Sequence, residues 1–160
     1  MATVTAKEDR PVRPADSARR SRTWQLAHRP ESAGISRRAA RTALADWQVT
    51  GSAADQIVLV VSELVTNAVE HAQPPIALRL EAHTGRGYVR VEVDDGGPAT
   101  REGAWTASCA VGEHGRGNGI IGLLATDHGS RARTGGVTYW ADLSTEPCAE
   151  PKSRRGVGRR

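Results

Sequence analysis

The sequence predicts an α+β fold, a two-layer sandwich with helices on one face of a mixed β-sheet. Three observations support this prediction. Two segments with helical spacing, residues 31–47 and 53–72, come early in the chain. Two segments of alternating apolar and polar residues, 76–83 and 88–93, follow them as strands. A short apolar helix at residues 118–126 then precedes a last pair of strands.

The boundaries of these elements have local signals. Residues 1–22 are rich in arginine and proline and predict a flexible leader, and residues 23–28 alternate weakly as a short edge strand. A Thr-Gly-Ser break at residues 50–52 separates the two helices, and Gln73-Pro74-Pro75 ends the second. Within the first helix, the residues at helical spacing are Ile35, Ala39, Leu44 and Trp47.

The second half of the chain is organised by glycines. Gly85-Arg86-Gly87 predicts a hairpin turn between the first two long strands. A glycine-rich segment runs from Asp94 to Gly117, and Gly135-Gly136 turns the chain between strands at residues 129–133 and 137–143. Residues 146–160 predict a second flexible basic tail, so the domain is expected to span residues 23–145.

The net charge of +4 comes from the two ends of the chain. Residues 1–22 contain six basic and three acidic side chains, and residues 146–160 contain five and two. Residues 23–145 keep eleven basic and thirteen acidic side chains, which makes direct nucleic-acid binding by the domain an unfavoured interpretation. The two basic tails are expected to be solvated and disordered. Weak electrostatic contact of the tails with nucleic acid or an acidic partner is the less favoured alternative.

Residue counts exclude several classes of protein. The only lysines are Lys7 and Lys152, so the domain lacks the phosphate-binding lysine of P-loop NTPases and ordinary protein kinases. Cys109 and Cys148 have no metal-ligand or redox spacing. No signal peptide or membrane-spanning run is evident, so a cytoplasmic protein without membrane contact is expected.

Three polar residues follow one another along the second helix. Glu63, Asn67 and His71 are spaced by four, which places them on a ridge beside the apolar face. Surface residues of an amphipathic helix would give the same spacing. Asparagine is unfavourable inside a helix, however, and its amide oxygen is a suitable ligand for a hard cation. Glu63 could then orient or deprotonate a nucleophile one turn away.

Two glycine motifs complete the candidate site. Asp94-Asp95-Gly96-Gly97-Pro98 ends a strand, where Asp94 could accept a hydrogen bond from a ligand amino group and Gly96 could let that ligand approach the backbone. Gly115-Arg116-Gly117-Asn118-Gly119 opens a helix, and such N-termini favour phosphate. In the absence of lysine, Arg116 is the nearest candidate to balance phosphate charge. The motif comes too late in the chain for a Rossmann fold.

The order of these motifs resembles the GHKL (Bergerat-fold) ATPase superfamily over residues 23–145. Within this superfamily, the chain is most similar to the anti-sigma-factor serine/threonine kinases. The similarity lies in the short lid and in the helix motif Ser62-Glu63-Leu64-Val65-Thr66-Asn67-Ala68. One departure is the Asp-x-Gly-x-Gly box, whose second glycine is either displaced to Gly97 or replaced by Pro98.

The resemblance implies a role for each motif. Asn67 would hold Mg²⁺ on the triphosphate of ATP, and Glu63 would act as the general base or orient the attacking hydroxyl. Asp94 would receive the adenine amino group, with Gly96 beside the base and Thr138 assisting through water. His71 would lie near the lid or the metal shell. The lid over the phosphates would contain Gly115, Gly117 and Gly119.

The resemblance also implies partners: a sigma factor, an anti-anti-sigma protein that carries the phosphoacceptor serine or threonine, and a second copy of the chain bound through the N-terminal strand and helix.

Two functions of different classes remain open. One is phosphoryl transfer from Mg-ATP to the antagonist protein. The other is a nucleotide-gated binding module without useful chemistry, and slow ATP hydrolysis is a third, less favoured alternative.

Overall fold

A computed structural model of the chain describes residues 19–99 and 116–146. Within these ranges three helices and five strands alternate with short turns. The helices are α1 (Glu31–Asp46), α2 (Gly51–His71) and α3 (Arg116–Leu124), and the strands are β1 (Arg19–Leu26), β2 (Ile76–His83), β3 (Tyr88–Asp95), β4 (Asp127–Arg133) and β5 (Gly136–Ser144). Strand β1 starts four residues before the predicted domain boundary, inside the predicted leader. The remainder of both predicted tails lies outside the described residues.

The five strands form one sheet in the order β1-β2-β3-β5-β4. Every neighbouring pair in the described residues is antiparallel. The α+β sandwich with helices on one face is confirmed, whereas the expectation of a mixed sheet was wrong. The reason is that α1 and α2 lie side by side and antiparallel, so they return the chain to the end of the sheet where β1 finished, and β2 must run against β1.

The core lies between α2 and the inner face of the sheet. The predicted apolar face of α2 is buried, as are the alternating apolar residues of β2 and β3. Each fully buried valine or leucine contributes roughly 1.5–3 kcal/mol to folding. The inner-face strand residues, all 0% exposed, are Ile76, Leu78, Leu80, Ala82, Val89, Val91 and Val93.

Helix α1 and its C-cap bury Leu44 and Trp47 of the predicted apolar face, at 1% and 7% exposure, but the first half of the helix buries a different face. Ile35 is 37% exposed, while Ser32, Ser36 and Ala40 are fully buried. The two serine hydroxyls donate to backbone carbonyls at Ala27 and Ala33, so they can be buried without an unpaired polar group. Small side chains on this face let α1 approach its neighbours closely, which the larger Ile35 would prevent.

The outer face of the sheet is polar and rich in ion pairs. Arg90 makes two hydrogen bonds of 2.7 Å to Asp142, and Arg79 and Arg131 both contact the buried carboxylate of Glu92, at 3.3 and 3.0 Å. The alternation of apolar and charged residues in β3 therefore separates a core face from a charged face.

Helix α2 is long and apolar enough to cross a membrane by length and composition alone, which the sequence analysis did not anticipate. Half of its apolar window is buried inside the fold. Because that apolar surface packs against the sheet and α1, the core accounts for the composition of α2.

Candidate functional site

The polar ridge of α2 faces away from α1. Ser62 accepts a hydrogen bond from Arg37 of α1, and Asn67 and His71 lie roughly 140° and 180° around the helix axis from Ser62. Helix α3 also packs against α2. The ridge therefore lies on a side of α2 that is turned away from the contact with α1.

Two members of the ridge are available to a ligand. Glu63 and Asn67 are partly buried, and their side chains make no hydrogen bond or ion pair within residues 19–99 and 116–146. They lie about 6 Å apart along the helix axis. His71 differs, because its Nε2 lies 3.7 Å from the carboxylate of Glu70. Glu63 and Asn67 are therefore one helical turn apart, as predicted, and neither has a partner within the described residues.

A short ladder of backbone hydrogen bonds fastens the end of α2 to the segment after β3. Gln73 N–H donates to the Gly97 carbonyl at 2.8 Å, and Gly96 N–H donates to the Gln73 carbonyl at 2.7 Å. Ala99 N–H donates to the carbonyl of His71 at 3.0 Å. The end of β3 and the C-terminal turn of α2 therefore form one side of the site.

These hydrogen bonds hold Gly96 close to the backbone that follows α2. A Cβ atom at position 96 would lie 2.4 Å from the Pro74 carbonyl oxygen and 2.8 Å from that of Gln73. The close approach that Gly96 permits is thus made by the chain's own backbone. Contact between Gly96 and a nucleotide stays a prediction. Gly97 has a φ of +88°, which favours glycine, so it is the second conformationally required glycine of the box.

The two aspartates at the end of β3 point to opposite faces of the sheet. Asp95 continues the buried series of Val91 and Val93 toward α2 and is 2% exposed. Asp94 lies on the outer face, where its Oδ1 accepts a 2.5 Å hydrogen bond from Thr138. The structure therefore brings Asp94 and Thr138 together, but on the side of the sheet away from the ridge, and it places Asp95 on the ridge side.

Asp95 is a buried carboxyl group with backbone partners. Its Oδ1 accepts the N–H of Gly97 at 2.8 Å. Burial raises the pKa of Asp95, while the hydrogen bonds from the Gly97 and Val137 backbone and the charge of Arg133 act in the opposite direction. A carboxylate in this environment gains most from a further hydrogen-bond donor, such as an amino group of a ligand.

Gly136 shows how tightly β5 approaches this end of β3. A Cβ atom at position 136 would lie 1.8 Å from the Asp95 carbonyl oxygen, and moving that backbone atom costs more than moving the end of a flexible side chain. We expect Gly136→Ala to lower the free energy of unfolding by about 3 kcal/mol, measured by urea denaturation. Gly85→Ala is the matched control, since nothing lies within 4 Å of its Cβ position. Equal stability of the two variants would contradict the close pairing of β5 with β3 at this point.

The predicted lid falls mostly on residues that are not described. Gly115 lies outside the described residues, together with the segment 100–115. Arg116, Gly117 and Gly119 are the first residues of α3, so Gly117 and Gly119 belong to a helix and not to the loop before it. Gly119 is exposed, and no atom lies within 4 Å of its Cβ position. The contact of these residues with phosphates stays a prediction.

The donor chemistry of the site suits a magnesium ion held mainly by a triphosphate. No cluster of three or more His, Cys, Asp or Glu side chains able to hold a metal exists in residues 19–99 and 116–146. Asn67 offers a free amide oxygen on the ridge. Mg²⁺ commonly takes one or two protein oxygens and completes its shell with phosphate and water, so one amide ligand fits this mode.

A cavity of about 390 Å³ lies at the opposite end of the sheet. It is lined by uncharged residues, among them Trp47, Gln48, Thr50 and Tyr88. Tyr88 begins the strand that Asp95 ends, which separates the two by roughly 23 Å. The cavity therefore contains none of the predicted site residues.

The residues and their arrangement agree with a known family. A family model described as the histidine kinase-like ATPase domain matches residues 26–141. The chain belongs to this family. ATP is the nucleotide that this family implies.

A solved structure is similar to this ATPase domain. It comprises the RsbU and RsbW domains of Rv1364c from Mycobacterium tuberculosis, and it shares 25% sequence identity with a TM-score of 0.60. The match covers 78% of this chain but 32% of that chain, so the ATPase domain corresponds to about a third of the larger protein. No curated protein matches the sequence.

The motif predicted Asp94 as the carboxylate on the ligand side, but Asp95 is the one buried on the side of α2. The alternation of Val89, Val91 and Val93 already places residue 95, and not residue 94, on the core face, so the signal was present in the sequence. When the Asp-x-Gly-x-Gly motif is aligned so that Asp94 is its aspartate, this alternation is not taken into account. Arg133, which contacts this strand end, had no signal of its own.

Proposed function

We propose that this ATPase domain is a protein serine/threonine kinase of the anti-sigma-factor type. It would transfer the γ-phosphoryl group of ATP to a serine or threonine of an antagonist protein, and it would bind a sigma factor. The observation that carries the proposal is the pair of side chains Glu63 and Asn67, one turn apart on α2, neither of which has a partner among residues 19–99 and 116–146. Similarity to a protein with an RsbW domain supports the same kinase class.

Each residue of the site has a defined task in this proposal. Asn67 would hold Mg²⁺, which would supply positive charge against the negative charge that develops during transfer. Glu63 accepts the proton of the attacking hydroxyl or orients that hydroxyl. Asp95 accepts the adenine amino group, because it faces α2 while Asp94 is engaged by Thr138 on the outer face. The N-terminus of α3, where Arg116 stands in the sequence, would face the phosphates.

The partners and location belong to the proposal as well. The phosphoacceptor is an anti-anti-sigma protein, the bound regulator is a sigma factor, and both would be met in the cytoplasm. A homodimer through β1 and α1 fits the same class of kinase. The direct test is incubation of the chain with Mg-ATP and candidate antagonist proteins, with phosphate transfer read by mass spectrometry. Absence of transfer to every cognate antagonist would reject the kinase and leave a nucleotide-gated binding module.

The role of Asp95 makes a prediction with two opposite effects. The raised pKa means that the fold is stabilised when Asp95 is protonated, and that this stability is lost as the pH rises from the ordinary value of 3.8 through the raised pKa. We therefore expect Asp95→Asn, which cannot ionise, to increase the free energy of unfolding at neutral pH by about 1 kcal/mol. Loss of the charged acceptor should weaken ATP binding about tenfold.

Urea denaturation and calorimetry measure the two effects separately. Asp55→Asn is the control, because it makes the same chemical change at an exposed carboxylate that pairs with Arg41. ATP affinity lost in Asp94→Asn and kept in Asp95→Asn would restore the original assignment of the adenine contact to Asp94.

A further inference from the structure

Arg133, near the turn between β4 and β5, contacts both aspartates at the end of β3. Its Nη2 donates a 3.0 Å hydrogen bond to the Asp95 carbonyl oxygen. Its Nε lies 3.6 Å from the Oδ1 atom of Asp94, the same oxygen that accepts the Thr138 hydroxyl. On the outer face of the sheet, Arg133 therefore contacts both the Asp95 backbone and the Asp94 side chain.

The register explains why this strand end needs such contacts. Strand β2 pairs with β3 only as far as Asp94, whereas β5 continues to Asp95 through Val137. Asp95 therefore has a strand neighbour on one side only. Gly136 pairs with Arg133 in the register of β4 and β5. Because Gly136 has no side chain, the Asp95 carbonyl can occupy the space beside it. Arg133 supplies a charged hydrogen bond to that same carbonyl.

A contact on the outer face can control the direction of a side chain on the inner face. The Asp95 carboxylate is oriented by the Gly97 N–H, which donates to its Oδ1 at 2.8 Å. If the Asp95–Gly96 peptide group loses the Arg133 hydrogen bond and shifts, the chain that leads to Gly97 shifts with it, and the carboxylate loses the donor that orients it. A hydrogen bond to a ligand amino group requires a comparably narrow geometry.

We propose that Arg133 is a positioning residue that aims the Asp95 carboxylate at the amino group of the adenine ring from the opposite face of the sheet. The inference rests on the proposed function, in which Asp95 recognises adenine. Arg133 acts through Asp94 and the Asp95 backbone and does not touch the nucleotide. Its removal therefore affects one hydrogen bond of the ligand and leaves the phosphate contacts on α2 and α3 intact.

Two nucleotides separate this role from a structural one. ATP carries the amino group that Asp95 would accept, and inosine triphosphate carries a carbonyl oxygen in its place. Affinities of the full chain for both nucleotides, with Mg²⁺, are measured by calorimetry for the wild type, Arg133→Met, Arg133→Lys and Arg131→Met. Arg131 is the matched control, since it lies on the same strand and face but pairs with Glu92. Thermal unfolding verifies that each variant is folded.

We expect Arg133→Met to lose about tenfold in ATP affinity with unchanged affinity for inosine triphosphate. Arg133→Lys should recover part of the loss, and Arg131→Met should keep the wild-type ratio of the two affinities. Equal losses for both nucleotides in Arg133→Met, or no loss, would overturn the positioning role. A wild type that binds ATP and inosine triphosphate equally would overturn the adenine role of Asp95 along with it.

Discussion

Replacing Asn67 by alanine is expected to weaken Mg²⁺-dependent ATP binding by a factor on the order of 100. The amide of Asn67 has no partner in the part of the chain that the structure describes, and its oxygen is the protein ligand that we propose for the ion. Its removal leaves the triphosphate charge without a fixed counter-ion in a domain that has no lysine between Lys7 and Lys152. Calorimetric titration with ATP, with and without Mg²⁺, measures the effect.

The control variants keep the fold and change either the metal-binding side chain or a neighbouring one. Thr66→Ala changes a partly buried neighbour on the same helix and should bind ATP like the wild type. Asn67→Asp retains an oxygen ligand and should retain metal-dependent binding, since carboxylate oxygens suit Mg²⁺. Wild-type affinity in Asn67→Ala would contradict the assignment of the metal contact to this residue.

Replacing Glu63 by glutamine is expected to slow phosphoryl transfer by roughly 100- to 10,000-fold while ATP affinity stays unchanged. Glutamine keeps the size and polarity of the side chain but cannot accept the proton of the attacking hydroxyl. Single-turnover transfer to the antagonist protein measures the rate, and calorimetry measures nucleotide binding.

Glu70→Gln is the matched control, because Glu70 is a second partly buried glutamate of α2 that contacts His71 and has no assigned chemistry. It should transfer phosphate at the wild-type rate. A Glu63→Gln variant that still controls its partner in response to ATP, without transfer, would favour the nucleotide-gated binding module over the kinase.

Much of the fold could be predicted because its signals are local. The strand 76–83 has the predicted bounds, and α2 differs from prediction by two residues at its start and one at its end. The glycine turn at residues 85–87 and the Gly135 turn also lie where expected, with φ of +68° at Gly87 and +82° at Gly135. Periodicity and backbone restriction act within a few residues, so the sequence displays them directly.

The errors arose where distant segments meet. Ile35 fits a helical apolar stripe, but α1 instead buries Ser32 and Ser36, because helix packing there depends on close approach. The sheet is antiparallel because two helices, and not one, connect β1 to β2. Neither result can be read from the spacing of apolar residues in one segment.

The sequence by itself determined the family motifs, the Glu63–Asn67 ridge and the absence of lysine from the domain, because these depend on residue identity and helical spacing alone. The tertiary structure decided which aspartate faces α2 and which faces Thr138. It also brought Arg133, 38 positions along the chain, to the carbonyl of Asp95. Such contacts depend on the pairing of β3 with β5 and of β5 with β4, and that register is set by packing between elements far apart in sequence.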